Sequence, residues 1–361
     1  MERRKFLKTA GLAAAATGAL GLSTSANAAQ ESIKWKMVTA WPKNFPGLGT
    51  GAEFLAQTIN DMSGGRIEVK VYAAGELVPP FEVFDAVSRG TAQMGHASPL
   101  YWAGKVPAAQ FFGGVPFGLT GLEINAWLYY GGGMELWQEL YKPFGVVPAA
   151  VGNSTVQMAG WFNREIKSVA DLKGMKMRIA GYMGGEVYRR AGATPVSISG
   201  GEIFTSLKSG AIDATEWIGP YNDLAFGFYK AAKYYYYPGW QEPGSTLECL
   251  INEKALNALP KDLRAIVLSA CRVSNEQLTA EFTARDAAAL QTLVEKHGVK
   301  VKRLPDDVLK EFHRLSEIVV KEVAGKDKTA ARIYDSYIKF RKDAGAWHAI
   351  SEQAYYNARA L

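Results

Sequence analysis

The chain has 361 residues, 48% of them hydrophobic, and a formal net charge of +6. That length is enough for two domains with substantial cores, and no Lys/Arg cluster interleaves with aromatic residues as nucleic-acid binding would require. The two cysteines, Cys249 and Cys271, can form at most one bond, so the fold cannot depend on a disulfide framework. A bond between them and two buried free thiols are both open.

The first 28 residues are predicted to be an export signal. Basic residues from Arg3 to Lys8 precede an Ala/Gly-rich apolar run from Thr9 to Leu22, and Ala26-Asn27-Ala28 is a small-x-small cleavage site. The Arg3-Arg4 pair resembles a twin-arginine signal, but Glu2 replaces the usual Ser or Thr, so the general secretory route stays open. The apolar run is too short and weakly hydrophobic to favour a retained anchor. Cleavage there leaves 333 residues of formal charge +3.

After the signal, strand and helix patterns alternate as in open α/β sheets. Strands are predicted at 33–39, 66–72, 156–163, 175–180 and 211–217, and helices at 49–62, 80–89, 184–191 and 201–209. Helical composition dominates from Pro260 onward, with long segments at 261–296, 306–323 and 329–358. The chain is therefore predicted to be an α/β protein with two lobes, a central cleft and long C-terminal helices.

The lobes are expected to share the chain unevenly. The first takes residues 29–152 with part of 238–290, the second takes 153–237 with part of 291–328, and 329–361 form a terminal helix. Between the lobes stands the aromatic run "YYYYPGWQ" at 234–241. Single aromatic residues are usually core residues, but this grouping with Gly and Pro suits the lining of a cleft for a small ligand.

Catalytic signatures do not stand out in this sequence. It has no Gly-x-Ser-x-Gly, His-Glu-x-x-His, P-loop or Gly-x-Gly-x-x-Gly motif, and its four histidines lack metal-ligand spacing with the cysteines. An exported oxidoreductase is the main rival, because twin-arginine export often carries cofactor-loaded enzymes. The missing cofactor motifs count against it, so we do not predict an enzyme.

The segment "MKMRI" at 175–179 alternates as a half-buried strand does. Met175, Met177 and Ile179 share one face, while Lys176 and Arg178 share the other. For a strand arginine considered alone, a solvated face is the commoner environment.

Several motifs recur in the order and spacing of one known family. "SVADLKGMKMR" at 168–178, "GATPV" at 192–196 and Glu202 to Glu216 resemble the DctP-type solute-binding proteins of tripartite ATP-independent periplasmic (TRAP) transporters. Gln157, Glu216-Trp217 and "YYYYPGWQEPG" resemble its 2-oxo-acid-binding subgroup. Ala214 departs from the Gly of many relatives and affects a turn more than the site. The succession from "DLKGMKMR" to "IDATEW" separates this family from the two-lobed binding proteins of ATP-driven transporters.

The resemblance implies a periplasmic protein that performs no chemistry and delivers a 2-oxo acid such as pyruvate to a membrane permease. It implies that Arg178 grips the ligand carboxylate, which suits the planar fork of a guanidinium. Glu216 would repel such a ligand unless something compensates. One reading is an ion pair with Arg178. The other, implied by the subgroup, is Na⁺ or Ca²⁺ held by Glu216, the Gln157 side-chain oxygen and the Trp217 carbonyl, because oxygen ligands suit hard cations.

Further ligand contacts are expected around Arg178 and Glu216. Asn153 is either an amide donor to the ligand or a turn residue, since Gly-Asn-Ser is turn-like. Tyr101 is a hydroxyl donor from the first lobe, Trp41 and Trp217 are apolar walls, and Gln241 contacts ligand or cation. The sequence does not distinguish pyruvate, longer 2-oxo acids and lactate as the ligand, because one additional methylene changes the binding free energy in a hydrophobic pocket by only ~1 to 3 kcal/mol.

The last helix carries much apolar surface. Its large apolar residues are Ile333, Tyr337, Phe340, Trp347, Tyr355 and Tyr356. Packing on its own subunit is the default. The 2-oxo-acid subgroup implies instead a homodimer in which this helix swaps onto the partner.

Overall fold

The structure is a computed structural model that describes residues 32–361. The predicted export signal at 1–28 lies outside these residues. Within the described part of the chain, no helix is long and apolar enough to cross a membrane.

Eleven strands and thirteen α-helices are assigned in the described residues. The strands are β1 Ile33–Thr39, β2 Ile67–Tyr72, β3 Met94–Ala97, β4 Val146–Asn153, β5 Gly160–Phe162, β6 Lys176–Arg178, β7 Thr194–Val196, β8 Ala214–Thr215, β9 Tyr234–Tyr237, β10 Thr246–Asn252 and β11 Lys300–Arg303. The helices are α1 Gly49–Met62, α2 Val83–Ser88, α3 Gln110–Gly113, α4 Gly121–Tyr130, α5 Gly133–Tyr141, α6 Tyr182–Arg190, α7 Gly200–Ser209, α8 Pro220–Phe226, α9 Glu253–Ala258, α10 Lys261–Glu295, α11 Asp306–Ala324, α12 Lys328–Ile350 and α13 Glu352–Arg359.

Two mixed sheets organise these elements, as the predicted α/β class requires. The first has the order β2-β1-β3-β10-β4, with β1 parallel to β2 and β3, and β10 antiparallel to its neighbours. The second has the order β11-β9-β5-β8-β6-β7. Strands β4 and β10 belong to the first sheet, while β5 and β9 belong to the second, so the chain crosses between the sheets after β4 and again before β10.

Helix α10 joins the two halves from one side. It packs against β4 and α1 near the first sheet and against α8 near the second. With 35 residues it extends about 50 Å, which is long enough to serve both halves. The space between the sheets therefore lies beside a continuous helix and two crossing segments.

The C-terminal region differs from the single helix predicted at 329–358. Helix α12 ends at Ile350, and α13 begins at Glu352 after a break at Ser351, whose φ and ψ are −113° and −100°. The Ser351 hydroxyl donates to the carbonyl of Trp347 at 2.9 Å. A serine that bonds the preceding turn can interrupt a helix in this way.

The two cysteines are buried free thiols in the structure, which is the second of the two alternatives above. Cys249 lies in β10 and Cys271 in α10. Each is buried in the apolar core, and neither is among the residues that line the cavity described below.

Candidate functional site

Strand β6 carries a buried arginine toward the space between the sheets. Met175, Met177 and Ile179 are buried on the core face, as the alternation predicts. Arg178, on the other face, is only 2% exposed, so the solvated reading is wrong for it. Lys176 is half-buried, and its Nζ donates to the carbonyl of Gly210 at 3.1 Å. A buried guanidinium requires a charge partner or several acceptors, and Arg178 has both.

The charge partner is Glu216, which follows the neighbouring strand β8. Arg178 pairs with Thr215 in the parallel register, which brings Glu216 beside the guanidinium. Arg178 Nη1 lies 2.6 Å from Glu216 Oε1 and 2.7 Å from the Glu216 carbonyl oxygen. The Ala180 N–H also donates to Oε1, at 2.7 Å. Because Glu216 is completely buried, desolvation raises its pKa, and the positive charge of Arg178 opposes that rise.

Glu216 retains binding capacity after these contacts. Its second oxygen, Oε2, is buried and has no hydrogen-bond partner among the described residues. A buried carboxylate oxygen without a donor is costly unless something else satisfies it. The ion pair and the cation, the two alternatives left open above, are therefore compatible, since each would use a different oxygen.

Gln157 presents a second unpartnered oxygen. Its Nε2 donates to Ser154 Oγ at 2.9 Å and to Glu242 Oε2 at 3.0 Å. These two bonds fix the orientation of the amide and leave Oε1 buried, with no partner in the described part of the chain. An amide that uses both N–H groups on protein acceptors presents its carbonyl oxygen to a ligand or a cation.

Glu242 is a site residue that the sequence analysis missed. It is 5% exposed and lines the cavity beside Gln157 and Arg178. Burial, reinforced by the negative charge of Glu216, raises the pKa of Glu242 to about 8. The only signal in the sequence is an acidic residue inside the otherwise uncharged stretch "YYYYPGWQEPG".

The cavity lies between the two sheets and takes residues from both. Arg178, Ala180, Trp217 and Ile218 come from the second half, and Trp41, Ser98, Leu100, Tyr101 and Leu247 from the first. Ser154, Gln157, Glu242 and Ser245 come from the crossing segments. Apolar walls surround a few convergent polar groups, which is the usual design of a small-molecule site.

Two tryptophans, one from each half, line the cavity and contact each other. The rings of Trp41 and Trp217 lie 6.3 Å apart in an edge-to-face arrangement, and the Arg178 guanidinium lies 5.1 Å from the Trp217 ring. Trp41 Nε1 donates to His96 Nδ1 at 2.8 Å, which fixes its ring. Burial raises the pKa of Tyr101, so its hydroxyl keeps its proton and can donate. The walls are therefore rigid and mostly apolar.

The structure brings together most, but not all, of the predicted site residues. Arg178, Gln157, Tyr101, Trp41 and Trp217 line the cavity, and Glu216 is buried beside Arg178. Asn153 and Gln241 do not line it.

The side chains of Asn153 and Gln241 have other partners. Asn153 Oδ1 accepts from the Thr155 N–H at 2.8 Å, which favours the turn alternative. Gln241 Nε2 donates to the Met158 carbonyl at 2.9 Å, and its buried Oε1 has no partner among the described residues. Their ligand and cation contacts stay predictions.

The donor set suits a hard cation better than a soft one. Three buried oxygens at the cavity have no hydrogen-bond partner among residues 32–361, and they belong to two carboxyl groups and one amide: Glu216 Oε2, Glu242 Oε1 and Gln157 Oε1. Residues 32–361 contain no group of three or more His, Cys, Asp and Glu side chains that could hold a metal. Oxygen ligands of mixed charge are typical of sites for Na⁺ and Ca²⁺.

Comparison with known proteins agrees with this geometry. The family model for bacterial extracellular solute-binding proteins, family 7 (DctP), matches residues 37–327. The monocarboxylate 2-oxoacid-binding periplasmic protein of Nostoc sp. strain PCC 7120 is 41% identical over 361 residues, covering 99% of this chain and 98% of the relative.

Two solved structures are similar over their full length. One is a TRAP solute-binding protein from Bordetella bronchiseptica RB50, a dimer with copurified calcium and picolinate in its active site, at 38% identity and a TM-score of 0.88. The other, from Pseudoalteromonas atlantica T6c, has bound sodium and pyruvate, at 39% identity and a TM-score of 0.88. Each alignment covers 91% of this chain and 99% of the solved chain. The chain belongs to the DctP family of bacterial extracellular solute-binding proteins, and it is a receptor for a solute rather than an enzyme.

Proposed function

We propose that this protein captures a small 2-oxo monocarboxylate, pyruvate or a close analogue, together with Na⁺ or Ca²⁺. We further propose that it does so in the periplasm and delivers the ligand to a TRAP membrane permease. The observation that carries the proposal is a buried arginine beside two buried oxygens, Glu216 Oε2 and Gln157 Oε1, that have no hydrogen-bond partner within residues 32–361. The ligands of the relatives described above support the same class.

Arg178 is the group that would bind the ligand carboxylate. Its Nη1 is held by Glu216, and its Nε lies 3.3 Å from the Ile198 carbonyl, so the guanidinium is fixed before a ligand arrives. The residue lines the cavity, and a planar fork of donors matches a carboxylate. Tyr101 would add a hydroxyl donor from the opposite half.

The cation would balance the charge of this site. Glu216 and a ligand carboxylate bring two negative charges against the single positive charge of Arg178. A bound cation supplies the missing positive charge in a cavity where water cannot. Glu216 Oε2, Gln157 Oε1 and the Trp217 carbonyl would hold it, with Gln241 Oε1 as a further candidate.

Closure of two lobes would trap the ligand. We assign the lobes the boundaries predicted from the sequence, with α10 and the crossing segments acting as the hinge region. Because Trp41 from one half and Trp217 from the other both line the cavity, a ligand in it contacts both halves and favours the closed form.

A homodimer is part of the proposal. Ile333 and Tyr337 are buried on their own subunit, whereas Trp347, Tyr355 and Tyr356 are 60%, 62% and 55% exposed. Three large aromatic residues exposed on α12 and α13 suit a second copy of the chain. The expected mass in solution is that of a dimer, and a concentration-independent monomer mass would contradict this part.

The test is calorimetric titration of ligand-stripped mature protein with pyruvate in sodium buffer, in sodium-free choline buffer and with added Ca²⁺. We expect tight binding only when a cation is present. Equal binding after metal removal would leave Glu216 as a partner of Arg178 alone. If neither 2-oxo acids nor lactate bind under any condition, the proposed ligand class is wrong.

A further inference from the structure

Gln110 is a buried side chain that joins the two halves of the molecule and is not itself among the residues lining the cavity. It begins α3, which packs against β10 of the first sheet, and it is 0% exposed. Its Nε2 lies 3.1 Å from the Pro107 carbonyl, which fixes the amide orientation. Its Oε1 accepts from the backbone N–H groups of Tyr182 and Met183 at 2.7 and 2.8 Å.

Those two N–H groups are the first of α6, a helix of the second half. The N–H groups in the first turn of any helix have no partner within the helix and need one from outside. The residue before α6 is Gly181, which has no side chain and provides no cap. Helix α6 packs against β7 and α11, so Gln110 supplies from the first half the acceptor that this helix lacks in its own half.

The contact is directly connected to the ligand site. Ala180, which lines the cavity and donates to Glu216 Oε1, is separated from α6 only by Gly181. Gly181 has φ +75°, and a Cβ there would lie 3.2 Å from Leu100 Cδ2 and 3.4 Å from Gln110 Oε1. The two halves are therefore in close contact where the segment that carries Arg178 enters α6.

We propose that Gln110 is a closure latch, a positioning residue that caps α6 only when the lobes are closed; this rests on the proposed function, because it assumes lobe closure. In the open form the Tyr182 and Met183 N–H groups would face water, and in the closed form they bond to Gln110. The latch stabilises the closed form without touching the ligand. It therefore slows ligand release and leaves the selectivity between 2-oxo acids unchanged.

The test compares Gln110→Met with Gln93→Met. Gln93 Oε1 also accepts from a backbone N–H, that of Lys36 at 2.9 Å, but this single bond is more exposed and both residues lie in the first half. In sodium buffer, Gln110→Met should weaken pyruvate binding about tenfold through faster dissociation, because two hydrogen bonds of the closed form are lost. Gln93→Met should leave the affinity unchanged. Equal affinities for the two variants would overturn the latch.

Amide hydrogen exchange separates this inference from the proposed function. In the ligand-free wild-type protein, the Tyr182 and Met183 amides should exchange quickly while the Lys36 amide stays protected. Slow exchange at both α6 amides would mean that the contact persists without ligand, and the latch would be wrong. If no 2-oxo acid binds, the proposed function fails, and the ligand-free exchange rates still decide whether the latch exists.

Discussion

Two completely buried carboxyl groups, Glu216 and Glu248, have opposite environments. Glu216 lies beside the Arg178 guanidinium and keeps one oxygen without a partner. Glu248, in β10 of the first sheet, has no cation beside it and uses both oxygens, one with Trp102 Nε1 and the other with the Tyr141 hydroxyl at 3.1 Å. The core carboxyl is satisfied within the protein, whereas the site carboxylate is not. Within this pair, unused hydrogen-bonding capacity, more than burial, distinguishes the site carboxylate from the core carboxyl.

The two environments also differ in charge. Burial raises the pKa of Glu248 to about 8, which favours the protonated, neutral form below that pH. Arg178 opposes the same effect on Glu216. A neutral carboxyl can act as an ordinary hydrogen-bonding group in the core, while an ionised one beside an arginine can hold a cation.

The largest effect is expected from the removal of Arg178, the arginine beside Glu216. Arg178→Met should weaken pyruvate binding by roughly a thousandfold, because it removes the group that binds the ligand carboxylate and leaves Glu216 buried without the guanidinium that pairs with it. Calorimetric titration measures the change. Lys176→Met, two residues away on the same strand, is the matched control and should change the affinity less than twofold. A tenfold loss or less in Arg178→Met would assign the ligand carboxylate to another group.

A smaller effect is expected at the site carboxylate. Glu216→Gln keeps the shape of the side chain and an acceptor for Arg178 but removes the negative charge offered to a cation. Pyruvate affinity in sodium buffer should fall by roughly a hundredfold and should no longer differ between sodium and choline buffers. Titrations in both buffers measure this. If the variant still needs sodium, the cation is held elsewhere.

The sequence predicted the elements whose patterns are local. The strand at 33–39 and the helix at 49–62 have the predicted bounds, since each has an uninterrupted period of its own. The strands predicted at 156–163 and 211–217 are shorter, Gly160–Phe162 and Ala214–Thr215, and the adjoining Gln157 and Trp217 line the cavity instead of extending the sheet. The apolar composition of these adjoining segments favours a strand, although they pair with no other strand of the described residues.

The candidate site was harder to predict, because burial and hydrogen-bond partners arise from tertiary contacts. The alternating pattern placed Arg178 on the face opposite the methionines, but it could not show whether that face borders a cavity or solvent. The role of Arg178 in ligand binding was predicted from the family resemblance. Glu242 was missed, since nothing local indicates that an acidic residue will be buried beside Gln157. For Asn153, the turn-like Gly-Asn-Ser sequence predicted a turn and the family resemblance suggested a ligand contact; its bond to the Thr155 N–H is a local turn contact that needs no distant residue.

The smallest effect on binding is expected from a change at Glu248, the carboxyl group in the core. Glu248→Gln should leave pyruvate affinity unchanged, because it matches the neutral carboxyl in shape and hydrogen bonding, with its carbonyl accepting from Trp102 and its amide donating to Tyr141. Its effect should appear in the pH dependence of stability. A folded pKa of about 8 against the usual 4.5 means that the stability contributed by the protonated group is complete below pH 4.5 and is lost as the pH rises to about 8.

Glu248→Gln removes this titration, so the free energy of unfolding should fall less steeply with rising pH, by up to about 1.4 kcal/mol per pH unit from this one group. Urea unfolding of both proteins between about pH 5 and about pH 8.5, a range that covers most of this titration, measures how the free energy of unfolding changes with pH. Tyr141→Phe is the control that keeps the carboxyl but removes one partner, and it should be less stable across the range. An unchanged slope in Glu248→Gln would mean that Glu248 is ionised in the folded protein, and the contrast with Glu216 would then rest on hydrogen bonding alone.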